Sequence, residues 1–115
     1  VDFYYHDVQR DVLILKADGG LDASNAEEVV ADLTRLIEAG IRKLVIDCSR
    51  LGYISSAGVG VLVRLQKRLQ NVGGQAKVAA VRGPVFRLLE LTGMAEVFEV
   101  YPTVTEALEA FRKDG

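Results

Sequence analysis

The sequence predicts an α/β fold: one mixed, mostly parallel β-sheet with about four helices. Three observations predict it. Short apolar, largely β-branched runs such as Leu44-Val45-Ile46 alternate with longer segments whose apolar residues recur at helical spacing. Helix start and stop signals stand at the joints, as at Gly40, Gly73-Gly74 and Gly83-Pro84. The 115 residues, 50% of them hydrophobic, suit one compact domain over residues 1–115 with enough apolar material for its own core.

Val1 to Tyr5 is β-prone and reads as a first, edge strand. Val12-Leu13-Ile14-Leu15 reads as a second strand, apolar on both faces, with Asp7 to Asp11 as a hairpin turn between them. Asp18-Gly19-Gly20 is expected to end that strand. Ser24-Asn25-Ala26-Glu27 fits a capping box at the start of the first helix. Ala26, Val29, Val30, Leu33, Leu36 and Ile37 give that helix its apolar stripe, and Gly40 is its left-handed terminator. Leu44 to Cys48 is the third strand. A loop then leads through Ser55 and Ser56 to a second helix from about Ala57 to Val72, stopped by Gly73-Gly74. Lys77 to Val81 is the fourth strand. Gly83-Pro84 opens a third helix, with Val85, Leu88, Leu89 and Thr92 on its buried side. Val97 to Val100 is a last short strand. Thr103-Val104-Thr105-Glu106 is a second capping box, and Ala107, Leu108 and Phe111 line the final helix. The order is β-β-α-β-α-β-α-β-α. Its strand–helix alternation implies crossover connections and a mostly parallel sheet, which the opening hairpin makes mixed.

Composition excludes several functions. A net charge of -2 and a pI near 5.4 give no electrostatic reason to expect nucleic acid. No apolar run approaches the ~20 residues that span a bilayer, and no signal-peptide pattern opens the chain, so no membrane association is expected. The single Cys48 rules out an internal disulfide, which suits a reducing, cytoplasmic setting. A start at Val1 rather than Met fits a trimmed product or a piece of a longer chain. His6 is the only histidine, so a metal site built on histidines and cysteines is not expected, a Ser-His pair would need His6 to meet a serine by accident of folding, and a strand-surface place suits it. Gly-x-Ser-x-Gly is absent. Gly58-Val59-Gly60 is followed neither by Gly-Lys-Ser/Thr nor by a third glycine, Val63 standing in that place; tight packing of helix on sheet accounts for both glycines. Cys48 reads as a small buried apolar residue. No enzyme and no cofactor is expected, and the chain alone is expected to be a monomer.

The candidate chemistry lies at Ser55 and Ser56, two hydroxyls where a strand–loop unit feeds a helix N-terminus. One of them should cap the helix, worth about 1 kcal/mol. A phosphate there would bring about -1.5 to -2 charges to free helix N–H groups and change the surface without unfolding the domain. Asp47, ending its strand, would accept loop N–H groups or sense that charge. Gly58, Val61, Leu62, Leu65, Leu69 and Val72 form the buried stripe of this helix. Val59 and Val63 fall beside Gln66 and Gln70, and form a small interaction patch next to the serines.

Three features together resemble the STAS domain family of bacterial anti-sigma factor antagonists. They are Gly20-Leu21-Asp22-Ala23; Leu44-Val45-Ile46-Asp47-Cys48 followed by Tyr53-Ile54-Ser55-Ser56-Ala57-Gly58-Val59-Gly60; and Gly73-Gly74, a strand, then Pro84-Val85-Phe86-Arg87-Leu88-Leu89 and Thr92-Gly93. The resemblance implies a non-enzymatic protein that binds an anti-sigma factor with serine kinase activity and so frees a sigma factor. It also implies phosphorylation near the start of the second helix that abolishes binding, and a PP2C-type phosphatase that restores it. Asp22, Tyr53, Ser55, Ser56, Ala57, Gly58, Val59, Gly60 and Val63 would form the partner-binding surface. The family's switch motif is Asp-Ser-(Ser/Thr)-Gly, with the acceptor just before the glycine. Here Ala57 stands in the acceptor position and Ser55 in that of the aspartate, leaving Ser56, then Ser55, as phosphorylation candidates. Two alternatives stay open: a constitutive interaction or sensor module without a switch, and a nucleotide- or small-ligand-binding STAS domain.

Overall fold

The computed structural model describes residues 2–7 and 12–114. Strand β1 (Asp2–Asp7) pairs antiparallel with β2 (Val12–Leu21), and β3 (Lys43–Ile54), β4 (Gln75–Ala79) and β5 (Glu99–Tyr101) follow in parallel, in the spatial order β1-β2-β3-β4-β5. Helices α1 (Ala26–Glu38), α2 (Ser56–Asn71) and α3 (Gly83–Leu91) fill the three crossovers, α3 being followed by a single turn, α4 (Met94–Val97). Helix α5 (Val104–Asp114) closes the chain. The predicted α/β architecture and the order of elements along the chain therefore hold, with the single turn α4 added. The hairpin turn over residues 8–11, Val1 of the first strand and the side chain of His6 lie outside the described residues.

Alternation along the strands builds two cores. Leu13, Leu15, Leu44, Ile46 and Val78 point into the larger one, beneath α1, α2 and α3. Val12, Ile14, Val45 and Ala79 point the other way, onto Ala107 and Phe111 of α5. The second core also takes in Lys77, fully buried, with its ammonium 4.6 Å from the Phe111 ring centre and 3.2 Å from Glu99 Oε2. Helices α1 and α2 end in the same backbone device. Gly40 (φ 110°) and Gly73 (φ 81°) turn left-handed, and the residue after each donates back to Leu36 and Leu69 respectively.

Several expectations are corrected. Asp18-Gly19-Gly20 does not end β2, and Ser49 to Ile54 is not a loop. Both strands run on, paired in parallel to Leu21 and Ile54 across irregularities at Lys16/Asp18 and Gly19/Gly20, because each supplies the other's ladder partners there. Ser24 does not cap α1. Its hydroxyl donates to Asp22 Oδ1, and Asn25, whose side chain makes no cap bond, holds the N-cap position. Gln66 is buried rather than on the polar face: its amide exchanges bonds with the backbone of Ala76 (2.8 and 3.1 Å) and donates to the Val97 carbonyl, joining α2 to β4 and α4. Val72 and Thr92 are exposed, Thr92 bonding back to the Leu88 carbonyl. The last strand begins at Glu99, since Val97 belongs to α4. Thr103 does cap α5, its Oγ1 accepting from Glu106 N–H at 3.1 Å.

The two glycines opening α2 differ in kind. A Cβ on Gly58 would run into the Leu21 carbonyl and lie 2.8 Å from Ile54 Cγ1, whereas one on Gly60 would meet nothing within 4 Å. Close packing thus explains Gly58 and not Gly60. Gly58→Ala should lower stability by about 1–3 kcal/mol, and Gly60→Ala should raise it by up to about 1 kcal/mol; urea unfolding of both variants measures the contrast. A second expectation concerns Glu99. Hydrogen bonds from Tyr101 and Gln75, with lesser help from Lys77, hold its carboxyl down at about 2, against an ordinary 4.5. A depressed pKa contributes stability above the ordinary value, and that stability is lost as pH falls through the folded one. Glu99→Gln should therefore be less stable than wild type at pH 7 by about 1–3 kcal/mol: the carboxylate is half exposed, which limits the ion-pair share, but its loss also takes one partner from the fully buried Lys77 ammonium. The gap should close between pH 4.5 and 2 in melting curves taken across that range.

Candidate functional site

The C-terminal ends of β2 and β3 lie side by side, Gly20 in register with Tyr53 and Leu21 with Ile54. Each strand then gives way to a helix, so two loops and two helix starts meet on one rim of the sheet, the edge where α/β folds gather functional groups.

Ser55 stitches this rim together. Its N–H donates to the Leu21 carbonyl at 3.0 Å, its carbonyl accepts from Val59 N–H at 2.9 Å, and its Oγ accepts from Gly58 N–H at 3.3 Å. It is the N-cap of α2, half-buried, with an extended backbone. Ser56 is the first helical residue and is exposed, as is Ala57. Helical spacing places Ser56, Val59, Gly60 and Val63 on one face. Val59 and Val63 are half-buried against the larger core, so the apolar patch expected beside the serines is narrower than the sequence suggests. The outward surface consists of Ser56, Ala57, the bare backbone at Gly60 and Tyr53, which is 55% exposed with its ring edged against Gly20.

Asp22 stands across the rim, in the turn between β2 and α1. Its Oδ1 accepts from the Ser24 N–H (2.8 Å) and hydroxyl (2.5 Å), and these bonds hold its carboxyl below the usual carboxylate value. Its own N–H donates to Asn25 Oδ1, while Asn25 Nδ2 donates to the Gly20 carbonyl at 2.8 Å. The loop is thus locked by its own side chains before any partner arrives. Asp-x-Ser-Asn is the composition of such a side-chain-locked turn, and it is the sequence signal that brings Ser24 and Asn25 into the site.

Electrostatically, α2 carries no acidic residue anywhere along its length. The partial positive charge of its N-terminus is not offset by its own side chains, and Arg64, Lys67 and Arg68 are exposed further along. Asp47 is not near the serines: it sits mid-strand, accepting from Ser49 N–H at 3.0 Å, and β3 runs on to Ile54 at roughly 3.3 Å per residue. It cannot sense a charge at Ser56. Cys48 is buried, and burial, with the neighbouring Asp47 charge, pushes its thiol up to about 12, far from a reactive thiolate. Among the described residues no three His, Cys, Asp or Glu side chains group as a metal site, and no helix is long and apolar enough to cross a membrane.

With this geometry in place, likeness to known proteins becomes informative. The STAS domain family pattern matches residues 6–107. The chain is 33% identical over 101 residues to BtrV of Bordetella bronchiseptica, covering 88% of this chain and 87% of BtrV. It is 29% identical over 100 residues to a Paenibacillus polymyxa protein named anti-sigma F factor antagonist, covering 86% of each. The crystal structure of tm1081 from Thermotoga maritima superposes with a TM-score of 0.90 at 27% identity, over 96% of this chain and 93% of that one. By sequence pattern and by architecture, this chain belongs to the STAS domain family.

Proposed function

We propose that this protein is an anti-sigma factor antagonist. It docks an anti-sigma factor that is also a serine kinase through the start of α2 and the β2–α1 turn, and it is released by phosphorylation of Ser56. A PP2C-type phosphatase reverses the modification, and the exchange takes place in the cytoplasm. The chain acts as a regulatory binding protein, not as an enzyme. The name of the Paenibacillus relative supports the class of partner.

Gly60 is the observation that carries the docking site. A glycine inside a helix costs about 1 kcal/mol relative to alanine. No neighbour within 4 Å requires one here, and it shares a face with Ser56. A helix bare at that point lets another polypeptide approach the backbone closely. Ser56 is the favoured acceptor because its side chain is exposed, whereas the Ser55 hydroxyl is engaged in the cap. A phosphate on Ser56 would sit at a helix start without acidic neighbours on α2, so its charge would alter the surface and leave the fold in place. A second reading rests on Ala57, which occupies the family's acceptor position: a constitutive binder without a switch.

The purified protein, mixed with its cognate anti-sigma kinase and ATP, should gain one phosphate that peptide mass spectrometry places on Ser56. Ser56→Ala should abolish it, and Ser56→Asp should weaken binding at least tenfold, about 1.4 kcal/mol. Unmodified serines with tight binding would establish the constitutive reading; absence of binding would overturn both. Gly60→Ala should weaken partner binding about tenfold in calorimetric titration without lowering the melting temperature.

A further inference from the structure

On the opposite edge of the sheet from β1, an open groove of about 890 Å³ runs between α2, α3, α4 and β5. Its apolar walls include Phe86, Val97 and Val100, exposed by 41%, 38% and 36%. Among the described residues, three carboxylates, Glu90, Glu96 and Glu99, line it, and no lysine or arginine does. Glu99 is partly neutralised by Lys77 behind it, while Glu90 and Glu96 are exposed and make no ion pair among the described residues. The groove also offers backbone. Ala80 N–H donates to the Tyr101 carbonyl at 3.0 Å, which aims Tyr101 toward β4. Alternation in a parallel ladder then turns the N–H and C=O of Val100 outward, to the open edge.

We propose that this groove is a docking site, separate from the α2 rim, for an extended lysine- or arginine-bearing segment of a partner polypeptide. Val100 supplies the backbone anchor, the apolar walls take the segment's apolar side chains, and Glu90 and Glu96 take its cations. A second copy of this chain fits poorly. Two copies meeting edge to edge at β5 would bring together two sets of the carboxylates Glu90, Glu96 and Glu99, with no lysine or arginine among the described lining residues to offset them. Because β5 is three residues long and Pro102 follows it, the ladder is short and charge supplies much of the selectivity.

The test is a titration of the isotope-labelled full chain, followed by amide NMR, with a capped peptide alternating lysine and valine and a counterpart alternating glutamate and valine. The lysine peptide should give saturable shifts confined to Gln70, Val97, Val100 and their neighbours, and the glutamate peptide none. Glu90→Lys/Glu96→Lys, with both changes at exposed positions and melting checked against wild type, should weaken the response at least tenfold. Ser56→Asp should leave it unchanged, which separates this site from the α2 rim. Shifts elsewhere on the surface, an equal response to the glutamate peptide, or an unaltered response in the double variant would overturn the proposal. So would concentration-dependent dimerisation through this edge, which would give the groove to a second copy.

Discussion

The distance between the first turn of α2 and the last residue of β2 governs the functional rim. With no side chain at Gly58, the helix start presses onto the Leu21 carbonyl, and the same carbonyl accepts the Ser55 N–H. One oxygen thus fixes where β2 ends, where α2 begins and which way the chain faces between them. A methyl group inserted there would push the helix off its strand and swing Ser56 with it. Exposure of Ser56 is therefore a product of packing, set by the interior beneath it.

The second core has a different logic. It buries an ammonium among apolar groups, a costly arrangement unless the charge is well compensated. Glu99 provides compensation at 3.2 Å, and the Phe111 and Tyr101 rings present their faces to the charge. Glu99 is in turn braced by Tyr101 and Gln75. This network ties the margin of the sheet, β5, to its interior and to α5. It also explains how a three-residue strand keeps its place with only one neighbouring strand.

Much of the architecture was legible because periodicity and punctuation agreed. Val29 and Leu33 mark the buried face of α1, Gly40 and Gly73 its stop and that of α2, and Thr103 the start of α5. What was misread had local chemistry pointing one way and tertiary context the other. Asp18-Gly19-Gly20 and Gly52 look like turns, yet the two strands pair through them, since strand formation follows partners more than propensity. Gln66 reads as surface because amides usually are; only its bonds to the backbone of Ala76 and Val97 give it a buried role. Ser24 has a cap-like sequence but is captured first by Asp22, two residues away. At the rim, helix capping pointed to the serines directly, whereas Asp22 entered through family resemblance alone. Gly58 and Gly60 cannot be told apart in the sequence, because the difference between them is the presence of a neighbouring carbonyl.

Strands β2, β3 and β4 each serve both cores, sending alternate side chains to α1, α2 and α3 on one side and to α5 on the other. Neither layer can come apart without uncovering strands that hold the other, so the domain should melt as one unit. Binding energy gained at one rim is then shared by the whole molecule. A partner gripping α2 should slow amide exchange in α5, a helix it never touches, and the back of the sheet would report occupancy of the front.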